Sequence, residues 1–105
     1  MRRGQSGKRQ DVEFGVVGGR LAVRGDCSVA SAPLIESWLA GFRQTLVEVD
    51  LSGVTFFDSA ALLVFLRAVR RNPGIRVVRP SVYVLRVLEW TNTADYLVHG
   101  RDLFD

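Results

Sequence analysis

The side chains best placed to do chemistry in this sequence are Asp58 and Ser59, which follow the apolar pair Phe56-Phe57 and directly precede the run from Ala60 to Leu66. A carboxylate and a hydroxyl at the start of such a run predict a helix mouth. There the backbone presents unpaired N–H groups and a partial positive charge, which a side-chain oxygen can cap and which a phosphate can exploit. Asp58-Ser59 therefore reads first as a capping pair and second as a hydroxyl placed for phosphorylation, a switch. As a nucleophile, Ser59 would need a base within hydrogen-bond reach and an oxyanion site. The sole histidine is His99, which has no recognisable acid partner, and the surrounding residues do not spell G-x-S-x-G. Catalysis is not expected. The sole cysteine, Cys27, cannot form an internal disulfide, and it reads as an inert thiol with redox sensing as the lesser alternative. One cysteine and one histidine are too few for a structural zinc site, and no metal or other cofactor is expected.

The elements that must hold this pair follow from hydrophobic periodicity. Val12, Phe14 and Val16 alternate with less apolar residues, Gly18-Gly19 follows, and Leu21 and Val23 alternate again, the pattern of a hairpin with a tight turn. After Gly25-Asp26 the period changes. Leu34, Ile35, Trp38, Leu39 and Phe42 fall on one stripe of a helix, with Ser31 as N-cap and Pro33 in the first turn. Residues 46–51 alternate again as a strand, Ser52-Gly53 predicts a loop, and a second helix runs from about Ser59 to Arg71, stopped by Asn72-Pro73-Gly74. Within that helix Leu62, Leu63, Val64, Phe65, Leu66 and Val69 cover more than one core-facing stripe, so some should be exposed near the serine, while Arg67, Arg70 and Arg71 suit the dipole at its end. Ile75 to Val78 predicts a short strand. A third helix after Pro80-Ser81 would place Val84, Leu85, Leu88 and Val82 inward, Trp38 and Trp90 would join the core, and Tyr96 to Val98 would pack as a final turn or short strand.

The order β-β-α-β-α-β-α predicts a single α/β domain with a mixed, mostly parallel sheet of four or five strands, an antiparallel first strand and three to four helices. Its 105 residues suit one domain, and 48% hydrophobic with 24% charged residues suits a soluble one. The net charge of +3 invites a nucleic-acid reading, but Arg2, Arg3, Lys8 and Arg9 supply four of the fourteen basic residues, leaving ten basic against eleven acidic beyond them. The basicity thus belongs to residues 1–10, which read as a disordered tail, with the domain spanning 11–105. No signal-peptide core follows the tail, and the apolar run at 60–66 is far shorter than the roughly 20 residues a membrane helix needs, so the expected location is the cytoplasm.

The stretch Val49-Asp50-Leu51-Ser52-Gly53-Val54-Thr55-Phe56-Phe57-Asp58-Ser59-Ala60-Ala61-Leu62, in this order of elements, resembles the STAS domain family, and within it the anti-sigma-factor antagonists. Gly25-Asp26 ahead of Ser31-Ala32-Pro33-Leu34, and Pro80-Ser81 to Leu88, resemble the family's turn into the first helix and its third helix. The resemblance implies a non-enzymatic binding module of a bacterial sigma-factor pathway. It implies phosphorylation at Ser59, by an anti-sigma factor that is itself a serine kinase and is bound only by the unphosphorylated form. A metal-dependent serine phosphatase would reverse the modification. It further implies a partner surface at Asp26, Ser28, Phe57, Asp58, Ser59, Ala61, Leu62 and Phe65. Two positions depart from the pattern: Ala61 stands where members usually have Gly, and Ser28 where they have a second acidic residue. An accessory subunit of a membrane transporter, docking without a phosphorylation cycle, is the alternative.

Overall fold

The computed structural model describes residues 12–100, so the basic segment 1–10 and the last five residues lie outside the described part. Eight elements follow one another: β1 (Val12–Val17), β2 (Arg20–Cys27), α1 (Ala32–Ala40), β3 (Val47–Phe57), α2 (Ser59–Arg71), β4 (Ile75–Val78), α3 (Val82–Trp90) and α4 (Ala94–Leu97). The sheet order is β1-β2-β3-β4, with β1 antiparallel to β2 and the other two pairings parallel. This is the α/β architecture the sequence predicts. The β1–β2 turn works because Gly18 and Gly19 both adopt positive φ, 60° and 77°, conformations that cost other residues a Cβ clash.

Strand β3 departs from expectation. Ser52-Gly53 is not a loop: β3 runs on unbroken to Phe57. Against β2 it accommodates two extra residues, one between the pairs Ala22↔Asp50 and Arg24↔Gly53, another between Gly25↔Val54 and Asp26↔Phe56. Each bulge shifts the phase of the strand. Val47, Val49 and Leu51 are buried at spacing two, but Leu51, Val54 and Phe57 are buried at spacing three. The amide of Ser52 at the first bulge donates to the Asp50 carboxylate (2.8 Å), so the residues that suggested a loop serve to turn the strand locally.

The helices cover one sheet face. Leu21, Val23, Val47, Val49, Leu51, Ile75 and Val77 meet Ile35 and Leu39 of α1, six residues of α2, Val84 and Leu88 of α3, and Leu97 of α4 in a single core. Helix α2 is central, packing against the three other helices. That explains why Ala61, Leu62, Val64, Phe65, Ala68 and Val69 are all buried: it is enclosed on its flanks as well as beneath. Arg67 donates twice to Glu36 of α1 (3.1 Å each) and Arg71 lies 3.8 Å from the same carboxylate, so two of the three arginines tie helices together. Hydrogen bonding and charge from Arg67, with Arg71, hold the Glu36 carboxyl below its ordinary range despite slight desolvation.

Other expectations need correction. In α3 only Val84 and Leu88 are buried, whereas Val82 and Leu85 are exposed. Trp90 is 84% exposed and does not join the core. Trp38 does pack, stacked on Phe14 at 4.7 Å and edge-on to Phe42 at 5.3 Å. Of the two forms expected for Tyr96–Val98, the turn is the one present, as the helical turn α4 and its cap.

Candidate functional site

At the carboxyl ends of the parallel strands, the loop from β2 into α1 lies beside the junction of β3 and α2. Asp58 joins them. Its backbone is extended (φ −119°, ψ −175°), ending β3 and serving as N-cap of α2. One carboxylate oxygen, Oδ1, accepts from the Ala61 amide (3.0 Å), and the other, Oδ2, accepts from the Val29 amide in the neighbouring loop (3.1 Å). Its own amide donates to the Cys27 carbonyl (3.2 Å) and its carbonyl accepts from Leu62 (3.0 Å). The capping role read from the sequence is present, with a tertiary bond added to it.

Ser59 is the first residue of α2, its side chain is exposed, and among the described residues its hydroxyl has no hydrogen-bond partner. The neighbouring loop is held without it. Ser31 occupies the N-cap position of α1 but does not cap forward. Its hydroxyl donates to the Asp26 carbonyl (2.9 Å) and accepts from the Ser28 amide (2.9 Å). The Ser28 hydroxyl accepts from the Ala30 amide (3.2 Å), while the Ser28 carbonyl accepts from the amides of Ser31 and Ala32. Asp26, near the end of β2, accepts from the Thr55 hydroxyl of β3 at 2.7 Å, tying the two strands together just before the corner. The result is a rigid corner with one uncommitted hydroxyl.

Electrostatically the corner is negative. Beneath it Cys27 is fully buried, and its thiol is pushed up to about 12 by burial first and then by the charges of Asp26 and Asp58. A thiol so held is neutral and inaccessible, in line with the inert reading and against ready oxidation.

The structure brings Asp26, Ser28, Asp58 and Ser59 together at the surface, while Phe57, Ala61, Leu62 and Phe65 are buried. These four, expected at a partner surface, lie beneath the corner and support it from below, with Phe57 tilted against Phe65 at 6.0 Å. Ala61, where the family pattern has Gly, is fully buried and donates its amide to Asp58, so its methyl faces the core rather than an approaching partner. The exposed apolar side chains are others: Val29 (72%), Phe56 (48%) and Leu63 (51%). Leu63 follows Ser59 by four residues and so lies on the same side of α2. Sequence reasoning expected exposure along α2 but missed Val29 and Phe56. For Phe56 the signal was its pairing with Phe57, since adjacent strand residues point to opposite faces.

No described helix is long and apolar enough to cross a membrane, and no group of three or more described His, Cys, Asp or Glu could hold a metal ion. No family model and no curated protein matches the chain. Solved structures do. An anti-sigma factor antagonist from Mycobacterium paratuberculosis superposes with a TM-score of 0.71 at 19% identity, over 82% of this chain and 80% of that one. A Thermotoga maritima protein provisionally named an anti-sigma factor antagonist gives 0.64 at 20% identity, over 88% and 86%. At such identities the likeness is one of architecture, and residues 12–100 form a STAS-like α/β domain with the fold of anti-sigma factor antagonists.

Proposed function

We propose that this chain is a non-enzymatic anti-sigma-factor antagonist of the cytoplasm. It binds an anti-sigma factor with serine-kinase activity through the corner at Ser59, and phosphorylation of Ser59 ends the binding until a serine phosphatase reverses it. The observation that carries this reading is the exposed hydroxyl at the first position of α2, without a partner among the described residues, set in a negative corner and flanked by exposed Val29, Phe56 and Leu63. The apolar rim supplies contact area, and the hydroxyl supplies the point of control.

A phosphate there would add about −1.5 to −2 charges. The helix end returns about 0.3 to 1 kcal/mol of attraction, or about 2 in favourable geometry. Repulsion from Asp58 is larger before screening, roughly 3 kcal/mol for unit charges about 5 Å apart at an effective dielectric near 20, and solvent around the exposed Ser59 side chain brings it down toward the same order. Because the hydroxyl joins no network of described residues, modification leaves the fold in place and acts on the partner's side of the contact. A penalty of about 3 kcal/mol in a partner complex weakens binding roughly a hundredfold.

The test incubates the purified protein with candidate serine-kinase anti-sigma factors and ATP, and locates the modified residue by mass spectrometry. Phosphate on Ser59 that is absent in Ser59→Ala, with binding lost in Ser59→Asp, supports the proposal. Binding to the same partner unchanged by Ser59→Asp refutes the switch, and co-purification with a transporter ATPase would favour the accessory-subunit alternative.

A further inference from the structure

Away from Ser59, α3 shows more exposed apolar side chains than its position on the core requires. Val84 and Leu88 are fully buried and suffice to seat it, yet Val82, Tyr83, Leu85 and Trp90 are all exposed. With 3.6 residues per turn, Val82, Arg86, Trp90 and Tyr83 form one outward stripe, flanked by Glu89 and Leu85. Four exposed apolar side chains clustered on one outward face form a contiguous patch of the kind that marks a contact surface.

The charges on the stripe say what covers it. Arg86 stands at its centre and Glu89 one turn on, and among the described residues neither has an ion-pair partner. Laid antiparallel on itself, about a two-fold axis between residues 86 and 87, α3 sets Tyr83 opposite the second copy's Trp90. The same placement sets the two Arg86 side chains against each other across the two-fold axis, about 1.5 Å apart along the helix, and brings each Arg86 to within about 3 Å along the helix of the other copy's Glu89, so that two carboxylates flank the two cations. Each copy thus supplies the cation for the other's carboxylate. An anionic membrane surface would gain from Arg86 but be repelled by Glu89, whereas a second copy uses both.

We propose that the outer face of α3 is a self-association surface, on which two copies of this chain pair antiparallel with Tyr83 against Trp90 and Arg86 against Glu89. Six outward side chains on a nine-residue helix fall short of the roughly 800 Å² per partner of a stable interface, so the pairing is weak and concentration-dependent. The proposal is independent of Ser59 and its partner.

Sedimentation velocity of the full chain, from about 10 µM to about 1 mM, tests it in the range of weak affinities. The expected result is a monomer–dimer equilibrium across that range, weakened at least fivefold by Trp90→Ser. Arg86→Glu and Glu89→Arg should each sediment as monomers, and an equimolar mixture of the two should dimerise again. Circular dichroism checks that both variants fold. A monomer at every concentration overturns the proposal, and protection of Trp90 from a soluble quencher would then show that the chain covers the face itself. A dimer indifferent to both charge reversals also overturns it. So does binding to anionic vesicles that Glu89→Arg strengthens while no self-association is seen.

Discussion

Asp58 uses both carboxylate oxygens, one to cap α2 and one to hold the Val29 amide across the corner. Asp58→Ala removes both acceptors and should cost about 1 to 2 kcal/mol, as for loss of an N-cap, whereas Asp58→Asn keeps one acceptor and should cost less. Urea unfolding midpoints at unchanged slope would measure both. Half of this role was legible in the sequence. A cap serves amides two or three residues away and so leaves a local signature, but the bond to Val29 spans 29 residues and depends on how two loops meet. Ser31 shows the same division, since its place at the start of α1 was predictable while its hydroxyl turns back to Asp26 and Ser28. Cys27 offers a pH test. Its folded thiol stays neutral until about pH 12, while the unfolded thiol ionises near pH 8.5. The unfolded state therefore holds fewer protons between those values, and stability falls as pH rises through that window, by up to about 1.4 kcal/mol per unit. Unfolding free energies from pH 8 upward should fall more steeply for the wild type than for Cys27→Ala.

At the scale of elements, the order of strands and helices could be read because their apolar periods differ. The errors arose where a local rule met a tertiary one. Ser52-Gly53 carries turn chemistry, but pairing with β2 on one side makes a bulge cheaper than leaving the strand. Val82 and Leu85 are as apolar as Val84 and Leu88, and only the placement of the helix on the sheet decides which pair is covered. Asn72-Pro73-Gly74 stops α2 as its residue types predict, but the reason Gly74 is needed is tertiary. A Cβ there would run into the Thr45 carbonyl, while the Gly74 carbonyl accepts from Val47 at the start of β3 (2.9 Å). Backbone meets backbone, so neither side can yield by rotating a side chain. Gly74→Ala should destabilise by about 1 to 3 kcal/mol, as other overpacked sites do. Gly53→Ala meets only the Arg24 side chain and should be milder. Thermal unfolding of the two variants side by side would check the ranking.

For the whole molecule, a switch that leaves the fold alone should be thermally silent. Ser59→Asp is expected to shift the melting temperature by less than about 5 °C, corresponding to under about 1 kcal/mol for a domain of this size, even where it abolishes partner binding. Differential scanning calorimetry beside a binding assay would separate the two effects, and a large loss of stability would mean that Ser59 is part of the scaffold. The domain has two unlike sides. On the sheet face away from the helices, Arg24 meets Glu13 (3.0 Å), Arg20 meets Glu48 (3.1 Å), and Arg76 stands in register beside Glu48. No strand residue pointing that way is buried. A bare sheet face ordinarily invites another sheet, but here any visitor must strip water from charges that already have counter-ions a strand away. Apart from Phe56 at its edge, that side therefore offers a visitor little free energy of contact. Lasting encounters are expected at the helical side and at the corner that Phe56 shares with it.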